Sequence, residues 1–541
     1  MGIPILTDDT ICEILQHLHY DTHTLYNCLF VNRFWCSNVV SILWRHPFTN
    51  SYKPFTSGKH KLRRSLIIRT YVSCLNDEEL ARLIPFSIDF SYTKKPLFPY
   101  ERYLQELSDS NIDKGVRNWI QSQGKDVLPI YQADKRAIAI IDSLWHMFMR
   151  QCIKIKSVSI TPLYINSGLL NATNILHASS AFAHLNNFYF RIDWSRSEEI
   201  KYKSIVQLLK QLISLSDNIN HMELSIHERI NPNIMKYIVK LINVQRGIKK
   251  FIFHDSRLLR SITAPITTSI TTPMVALQSQ ANCLVSLEFH GVKFDDVSVA
   301  SLAGFDLLES LLFQKCRDIT LERMEILSQA SFHIKFLSMQ KNLWPSIITS
   351  VLIAKAGESL RQIVLDDVST ETIQAMTNCC PNINVAYISP TDLTYQLIFP
   401  WVGSTSLKKL EISFETHARR GIQIPIEDSS KVMQLLGETL STSLVFLKLN
   451  GLRITNEAFN YFMESCCSPL STLFISHGCY LELESCVWII VKFAFTHKTL
   501  KTYGSYSLKK SAHQNFLEIL AKNKIQVFDK YNIRSLIYKD F

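Results

Sequence analysis

Glycine is scarce in this chain: fifteen in 541 residues, too few for an enzyme built on nucleotide-binding turns. The turns themselves are missing as well. No Gly-x-x-x-x-Gly-Lys loop is present to cradle phosphates, and no Gly-x-Ser-x-Gly elbow presents a nucleophile. The seventeen histidines form no His-Glu-x-x-His pair. Long apolar runs are lacking too; the longest late one, Cys486 to Phe495, is broken by Lys492 and too short for a bilayer. The N-terminus carries no secretory signal, since Met1-Gly2-Ile3-Pro4 leads into polar Thr7-Asp8-Asp9. Leu6 stands where a myristoylation motif needs Ser or Thr. Thirteen cysteines, an odd number, then point to free thiols in a reducing compartment, cytoplasmic or nuclear.

Charge is not concentrated either. The net value is +11, and the one dense run is Lys59-His60-Lys61-Leu62-Arg63-Arg64. Such a run fits a solvated helix face better than an import signal or a phosphate patch. A nucleic-acid binder would show a stripe of such clusters, so nucleic acid is a remote partner. An apolar share of 47% with 19% charged residues describes a folded chain.

What is present starts at the front, over residues 1–48. Ile11, Ile14, Leu15 and Leu18 have the i, i+3, i+4, i+7 spacing of a helix face, with Thr7, Asp8 and Asp9 ahead to cap it. Asp21 and Thr22 start a second helix carrying Leu25, Cys28 and Leu29. Asn32 starts a third, with Trp35, Val39 and Leu43 inward, stopped by Pro47. Three such helices hold little core of their own and look built to be completed by a partner.

This arrangement resembles an F-box, the adaptor-binding module of cullin-based ubiquitin ligases. The matches are Glu13-Ile14-Leu15, Leu25, Cys28, Val31, Arg33, Trp35 and Leu43-Trp44. The sequence departs at Thr10-Ile11, where the family opens on Leu-Pro, and at Asn32, where it has Cys. The resemblance implies that Ile11, Glu13, Ile14, Leu15, Leu18, Leu25, Cys28, Val31, Trp35, Leu43 and Trp44 seat the module on a Skp-type adaptor, and through it on a cullin and a RING subunit.

Residues 49–180 read as a helical connector. Helices are expected through Leu62 to Tyr71, from Asn76 to Pro85, around Val116 to Ile120, and from Ile138 to Met149. The stretch Lys94 to Pro99, with two prolines, is a turn or linker.

From residue 181 onward a period appears: apolar, two variable, apolar, one variable, apolar. It runs Leu185/Phe188/Phe190, Ile219/Met222/Leu224, Ile248/Phe251/Phe253, Leu284/Leu287/Phe289, Leu308/Leu311/Phe313 and Ile334/Leu337/Met339. It continues Leu360/Ile363/Leu365, Ile383/Ala386/Ile388, Leu407/Leu410/Ile412, Leu444/Leu447/Leu449 and Leu470/Leu473/Ile475, with Leu500/Tyr503 degraded. From Leu284 to Leu407 the intervals are 24, 26, 26, 23 and 24 residues, inside the range of leucine-rich repeats. Return helices are expected at Asp295–Leu302, Leu321–Leu327, Thr370–Met376 and Asn456–Met463. Cys316-Arg317-Asp318-Ile319-Thr320 resembles the cysteine-containing class of the repeat, which commonly follows an F-box; Gly451 to Thr455 is a weaker echo. The expected fold is α/β: an N-terminal three-helix module, a helical connector, and over residues 181–541 a horseshoe-like solenoid of parallel strands with return helices.

Two cysteine pairs, Cys379-Cys380 and Cys466-Cys467, lack the spacing of a zinc site and read as small buried side chains between stacked turns. No catalytic site, metal site or cofactor is indicated. Between the apolar strand positions, eight basic residues face four acidic ones: Lys249, Lys250, Lys335, Arg361, Lys408, Lys409, Lys448 and Lys501 against Glu223, Glu288, Glu309 and Glu411. Phe336, Tyr387, Phe446 and Phe474 interleave with them. In a leucine-rich solenoid these positions face the concave side. Lys335, Phe336, Arg361, Tyr387, Lys408, Lys409, Phe446, Lys448 and Phe474 are therefore candidates to hold an acidic or phosphorylated target segment. The expectation is a non-catalytic substrate-recognition subunit of a Skp–cullin–F-box ubiquitin ligase. The rivals are an adaptor-binding scaffold outside a ligase and a basic nucleic-acid-associated protein.

Overall fold

A computed structural model of the chain describes residues 7–48, 58–86, 88, 95–123, 130–161, 179–192, 198–226, 230–255, 270–327, 330, 332–366, 368–390, 395–414, 426–452, 454–476, 483–505 and 514–528. They fall into two units, Met1–Leu284 and Val285–Phe541. Lys94 and Arg453, each part of an expected turn or repeat echo, lie outside the described residues.

The first unit opens with helices α1 (Asp8–His17), α2 (Thr22–Cys28) and α3 (Arg33–Leu43). Each starts where a side-chain oxygen accepts from a free amide of the first turn: Thr7 from Thr10, Asp21 from Thr24, Asn32 from Trp35. Leu15, Leu25, Cys28, Val39 and Ile42 form the core, with Ile11, Leu18, Leu29, Trp35 and Leu43 packed around it.

Five helices follow: α4 (Gly58–Val72), α5 (Asp77–Ala81), α6 (Tyr100–Tyr103), α7 (Asp109–Gln123) and α8 (Ile130–Gln151). They pack around buried Tyr71 and Phe148, whose rings meet edge-on at 4.9 Å. Glu79 closes a capping box at α5 and is also clamped by Arg150 at 2.9 and 3.0 Å. The glycine at position 115 lets α7 lie against α4, because a Cβ there would sit 2.7 Å from Ile68 Cγ1.

The strands of this unit are β1 (Glu106–Ser108), β2 (Ser157–Ile160), β3 (Asn187–Arg191), β4 (His221–Ile226) and β5 (Lys250–Asp255), each pairing in parallel with the next. So the connector expected over 49–180 is not purely helical. The strand ladder begins at Glu106, not after 181, and the division between units falls at 284/285. The ladder even reaches back into the three-helix module. Arg45 O accepts from Gln105 N (3.0 Å) and Glu106 N (3.3 Å), just as Gln105 O accepts from Lys156 N and Ser157 N. The end of α3 thus takes the place of a preceding rung and covers the edge that β1 would otherwise expose.

Buried glutamines stitch the later turns. Gln245 accepts from Ile219 N and donates to Ser216 O; Gln280 accepts from Ile248 N and donates to Gln245 O. Each repeat thereby satisfies backbone groups of the one before.

The second unit stacks β6 (Ser286–His290), β7 (Ser310–Gln314), β8 (Phe336–Gln340), β9 (Gln362–Leu365), β10 (Val385–Ile388), β11 (Lys409–Ser413), β12 (Phe446–Asn450), β13 (Thr472–Ser476), β14 (Thr502–Ser505) and β15 (Gln526–Phe528). All pair in parallel, in chain order. Return helices lie between them, among them Asp296–Leu302, Leu321–Ile326, Thr370–Cys379 and Asn456–Ser465, close to the expected spans. In β7 the alternation is strict: Leu311 and Phe313 are buried while Ser310, Leu312 and Gln314 are half-open.

Four strand exits share one geometry. Gly291, Lys315, Lys341 and Gly451 hold the same repeat position with φ of 73, 56, 53 and 80°, a conformation that glycine adopts more cheaply than lysine. The next residue anchors the repeat. Cys316 Sγ donates to Phe289 O at 3.4 Å, and Asn342 Nδ2 donates to Phe313 O at 3.1 Å while its Oδ1 accepts from Cys316 N. A cysteine and an asparagine perform one structural task. This is an α/β leucine-rich-repeat solenoid of parallel strands and return helices.

Candidate interaction surfaces

The eleven residues expected to meet an adaptor separate into four groups. Leu15, Leu25 and Cys28 are buried in the module's own core and support a surface without forming it. Trp44 packs on Tyr71 at 5.3 Å and Tyr100 at 4.3 Å, so it joins the module to the helices behind it. Ile11, Leu18, Trp35 and Leu43 are half-buried against the core. Glu13, Ile14 and Val31 are outward, Ile14 at 42% and Val31 at 57% exposure. Two neighbours not anticipated from the sequence, Tyr26 (56%) and Phe30 (73%), are exposed as well, with their rings 5.3 Å apart. The face of α1 expected to be one stripe is therefore divided: Leu15 turns in and Ile14 turns out. The signal for Tyr26 and Phe30 was available, since large apolar residues beside a completed core have nowhere inward to go.

In the second unit the open face is narrower and less basic than the count of cations implies. The central column, between the two buried strand positions, runs Glu288, Leu312, Ser338, Val364, Tyr387, Glu411, Lys448 and Phe474 in register. Its single cation, Lys448, is buried and bonded to Glu411 at 2.7 Å, while Asn450 donates to the same oxygen at 2.9 Å. Phe474 is also buried, edge-on to half-buried Phe446 at 5.7 Å. Lys448 and Phe474 thus hold the sheet together and are not available to a ligand. Phe336, Tyr387 and Lys409 are half-open on the face.

Lys335, Arg361 and Lys408 are exposed, but one residue ahead of their strands. There they form an edge row in which each backbone amide extends the ladder, Lys335 N to Glu309 O and Arg361 N to Lys335 O. Lys335 Nζ is tied to Glu309 at 2.6 Å. The eight-to-four bias therefore belongs largely to an edge, and what the face itself offers is a band of aliphatic and aromatic side chains.

Chemistry is quiet. Burial pushes the Cys380 thiol up to about 12 and the Cys486 thiol up to about 11, which keeps both protonated and poor as nucleophiles. In each adjacent pair only one member is buried, Cys380 and Cys466, while Cys379 is half-open and Cys467 exposed; the expectation of two buried residues per pair holds for one. Among the described residues no three His, Cys, Asp or Glu side chains gather as a metal site, and no helix is long and apolar enough to cross a membrane.

No family model matches the sequence, and no curated protein matches it. Among solved structures the chain is similar to TLR13 in its complex with ssRNA13, at 14% identity and a TM-score of 0.36 over 70% of this chain. That match spans 47% of the TLR13 chain, less than half its length. An internalin from Listeria monocytogenes matches at 11% identity and TM-score 0.32, covering 72% of this chain and 94% of its own. The leucine-rich-repeat protein LegL7 from Legionella pneumophila matches at 11% identity and TM-score 0.25, covering 62% and 86%. All three scores fall below 0.5, so the fold assignment rests on the strand register and the repeated exit geometry. Those define a leucine-rich-repeat scaffold, whose stacked strands present an extended surface for a partner.

Proposed function

We propose that this chain is the substrate-recognition subunit of a Skp–cullin–F-box ubiquitin ligase, working in the cytoplasm or nucleus. Its three-helix module would dock a Skp-type adaptor, and through it a cullin and a RING subunit. Its strand faces would hold a target protein. The observation that supports this most is the module's surface: the core is complete, yet Ile14, Tyr26, Phe30 and Val31 remain uncovered. Exposed aromatic and aliphatic side chains beside one another mark a docking face. The chain would add no bond chemistry. Its contribution to ubiquitin transfer is effective concentration, and the bond from Arg45 to β1 makes the module a rigid continuation of the ladder, not a tethered head.

The test uses the whole chain, because Trp44 and Arg45 bind α1–α3 to the rest and deletion of residues 1–48 would expose buried surface. Affinity-purified wild type is expected to bring down adaptor and cullin together, and Val31→Asp to bring down neither. Adaptor without cullin would favour a scaffold outside a ligase, and neither partner with wild type would contradict the proposal.

A further inference from the structure

The first unit holds a cleft of about 1490 Å³, walled by the ends of α2 and α3, by α4 and α7, and by the open face of β1 to β4. Pockets for small organic molecules are smaller, about 300–1,000 Å³, and mostly apolar. This one is larger, and its walls are polar and apolar in comparable measure. Six guanidinium or ammonium groups line it, Arg45, Arg63, Arg64, Lys114, Lys156 and Arg191, against two carboxylates, Glu106 and Glu223.

Both carboxylates are already engaged. Glu106 accepts from His46 at 3.3 Å, and Glu223 is held by His254 at 3.2 Å with Arg191 nearby. Among the described residues no acidic side chain lies in ion-pair range of Arg45, Arg63 or Lys156. The ladder sets the backbone spacing of Arg45 and Lys156. Arg45, Gln105 and Lys156 are successive rungs, so Arg45 and Lys156 stand two strand separations, about 10 Å, apart. Burial disfavours the charge at both, and at Lys156 the neighbouring cations of Lys154 and Arg45 add to this. An anion bound between them would relieve that cost. Hydroxyl and amide donors of Ser159, Thr161, Asn111 and Asn187 share the same walls. Guanidinium, ammonium and hydroxyl donors lining one cleft, with both of its carboxylates already engaged, are the donor set of a phosphoryl group.

We propose that this cleft binds a phosphorylated, extended segment of a partner protein, with Arg45, Arg63 and Lys156 receiving the phosphoryl group. The inference rests on reading the repeat scaffold as a holder of partner proteins, but not on adaptor docking. A peptide is favoured over single-stranded nucleic acid by the state of the aromatic rings. Tyr26 packs on Phe30, Tyr20 on His19 and Tyr189 on His221, so the walls offer charge more than unoccupied stacking platforms.

The probe is a degenerate peptide pool with a fixed central phosphoserine, compared on immobilised full-length chain with the same pool unphosphorylated. Wild type is expected to retain the phosphorylated pool at least tenfold better, with retention falling as salt rises. Arg45→Glu/Arg63→Glu/Lys156→Glu should abolish the preference. The single Arg63→Gln, at an exposed position and safe for folding, should reduce it several-fold. Equal retention of the two pools by wild type, or undiminished preference in a folded Arg63→Gln protein, would overturn the proposal. So would displacement of the phosphopeptides by single-stranded RNA at lower concentration than by pyrophosphate. The Val31→Asp chain should keep the phosphopeptide preference while losing the adaptor, which separates failure of this inference from failure of the ligase reading.

Discussion

The two units use one repeat to make two unlike faces. In the second, the central column resolves its charges internally: Lys448 is buried against Glu411, Lys335 is tied to Glu309 on the edge, and what remains open is aliphatic and aromatic. In the first, the strand face is walled by helices on one side, and among the described residues no carboxylate lies in ion-pair range of Arg45, Arg63 or Lys156. The repeat dictates only the two inward positions of each strand, which must be apolar to fill the stack. The position between them is free to vary. Evolution of binding on such a scaffold is a matter of that column and of what covers its end.

The comparison can be broken first at Lys448. Lys448→Ala leaves the Glu411 carboxylate half-buried with Asn450 alone, and should cost about 3 kcal/mol, read as a lower denaturation midpoint. Phosphopeptide retention should not change, because the pair lies in the other unit. Replacing both partners, Lys448→Met with Glu411→Gln, should recover most of the loss.

In the first unit, Asp109 opens α7 with its carboxylate buried and one oxygen accepting from Thr161 N at 2.6 Å. Burial raises it to about 7, above its usual value of 3.8. The folded state therefore binds this proton more tightly than the unfolded state does. The stability it lends is complete below about pH 4 and is lost as pH rises to about 7, with about 2–3 kcal/mol of the loss falling above pH 5. Melting temperatures from pH 5 to 8 should fall less steeply in Asp109→Asn.

Gly115→Ala pits two effects against each other. Alanine favours a helix by about 1 kcal/mol, but its Cβ would sit 2.7 Å from Ile68 Cγ1, and a tight core resists. The clash should win by about 1 kcal/mol net, and by displacing α7 from α4 it should also weaken phosphopeptide retention. The smallest effect is expected at Lys315→Gly, which relieves a left-handed lysine and should stabilise the second unit by about 0.5–1 kcal/mol.

Most of the ladder was legible. Each of the eleven apolar triplets and the degraded pair Leu500/Tyr503 marks a strand, β3 to β14, because a buried parallel strand needs apolar residues at fixed offsets whatever its neighbours are. Three strands were not read. β2 carries the full pattern in Ile155, Val158 and Ile160, yet a long helix-rich interval separates it from β1 and hides the period. β1 has Leu104 and Leu107 but then Asp109, and β15 is three residues long. The helix caps were readable for the opposite reason, since Thr7, Asp21 and Asn32 act within three residues of themselves.

Pairing across repeats was harder to see. Glu411 and Lys448 hold the same column and could be matched by counting, but counting all variable positions as one face merged the edge row with the centre. Nothing local announces that the carbonyl of Arg45 is a rung of the ladder. That follows only when a helix end and a strand sixty residues later are in place.

The central claim is that α1–α3 form a docking face on a solenoid that holds a partner. Amide hydrogen exchange of the full chain with and without a purified Skp-type adaptor addresses it most directly. The account predicts slowed exchange confined to the amides around Ile14 and from Tyr26 to Val31, with the strand ladder unchanged. No protection there at saturating adaptor, or protection only elsewhere, would contradict it.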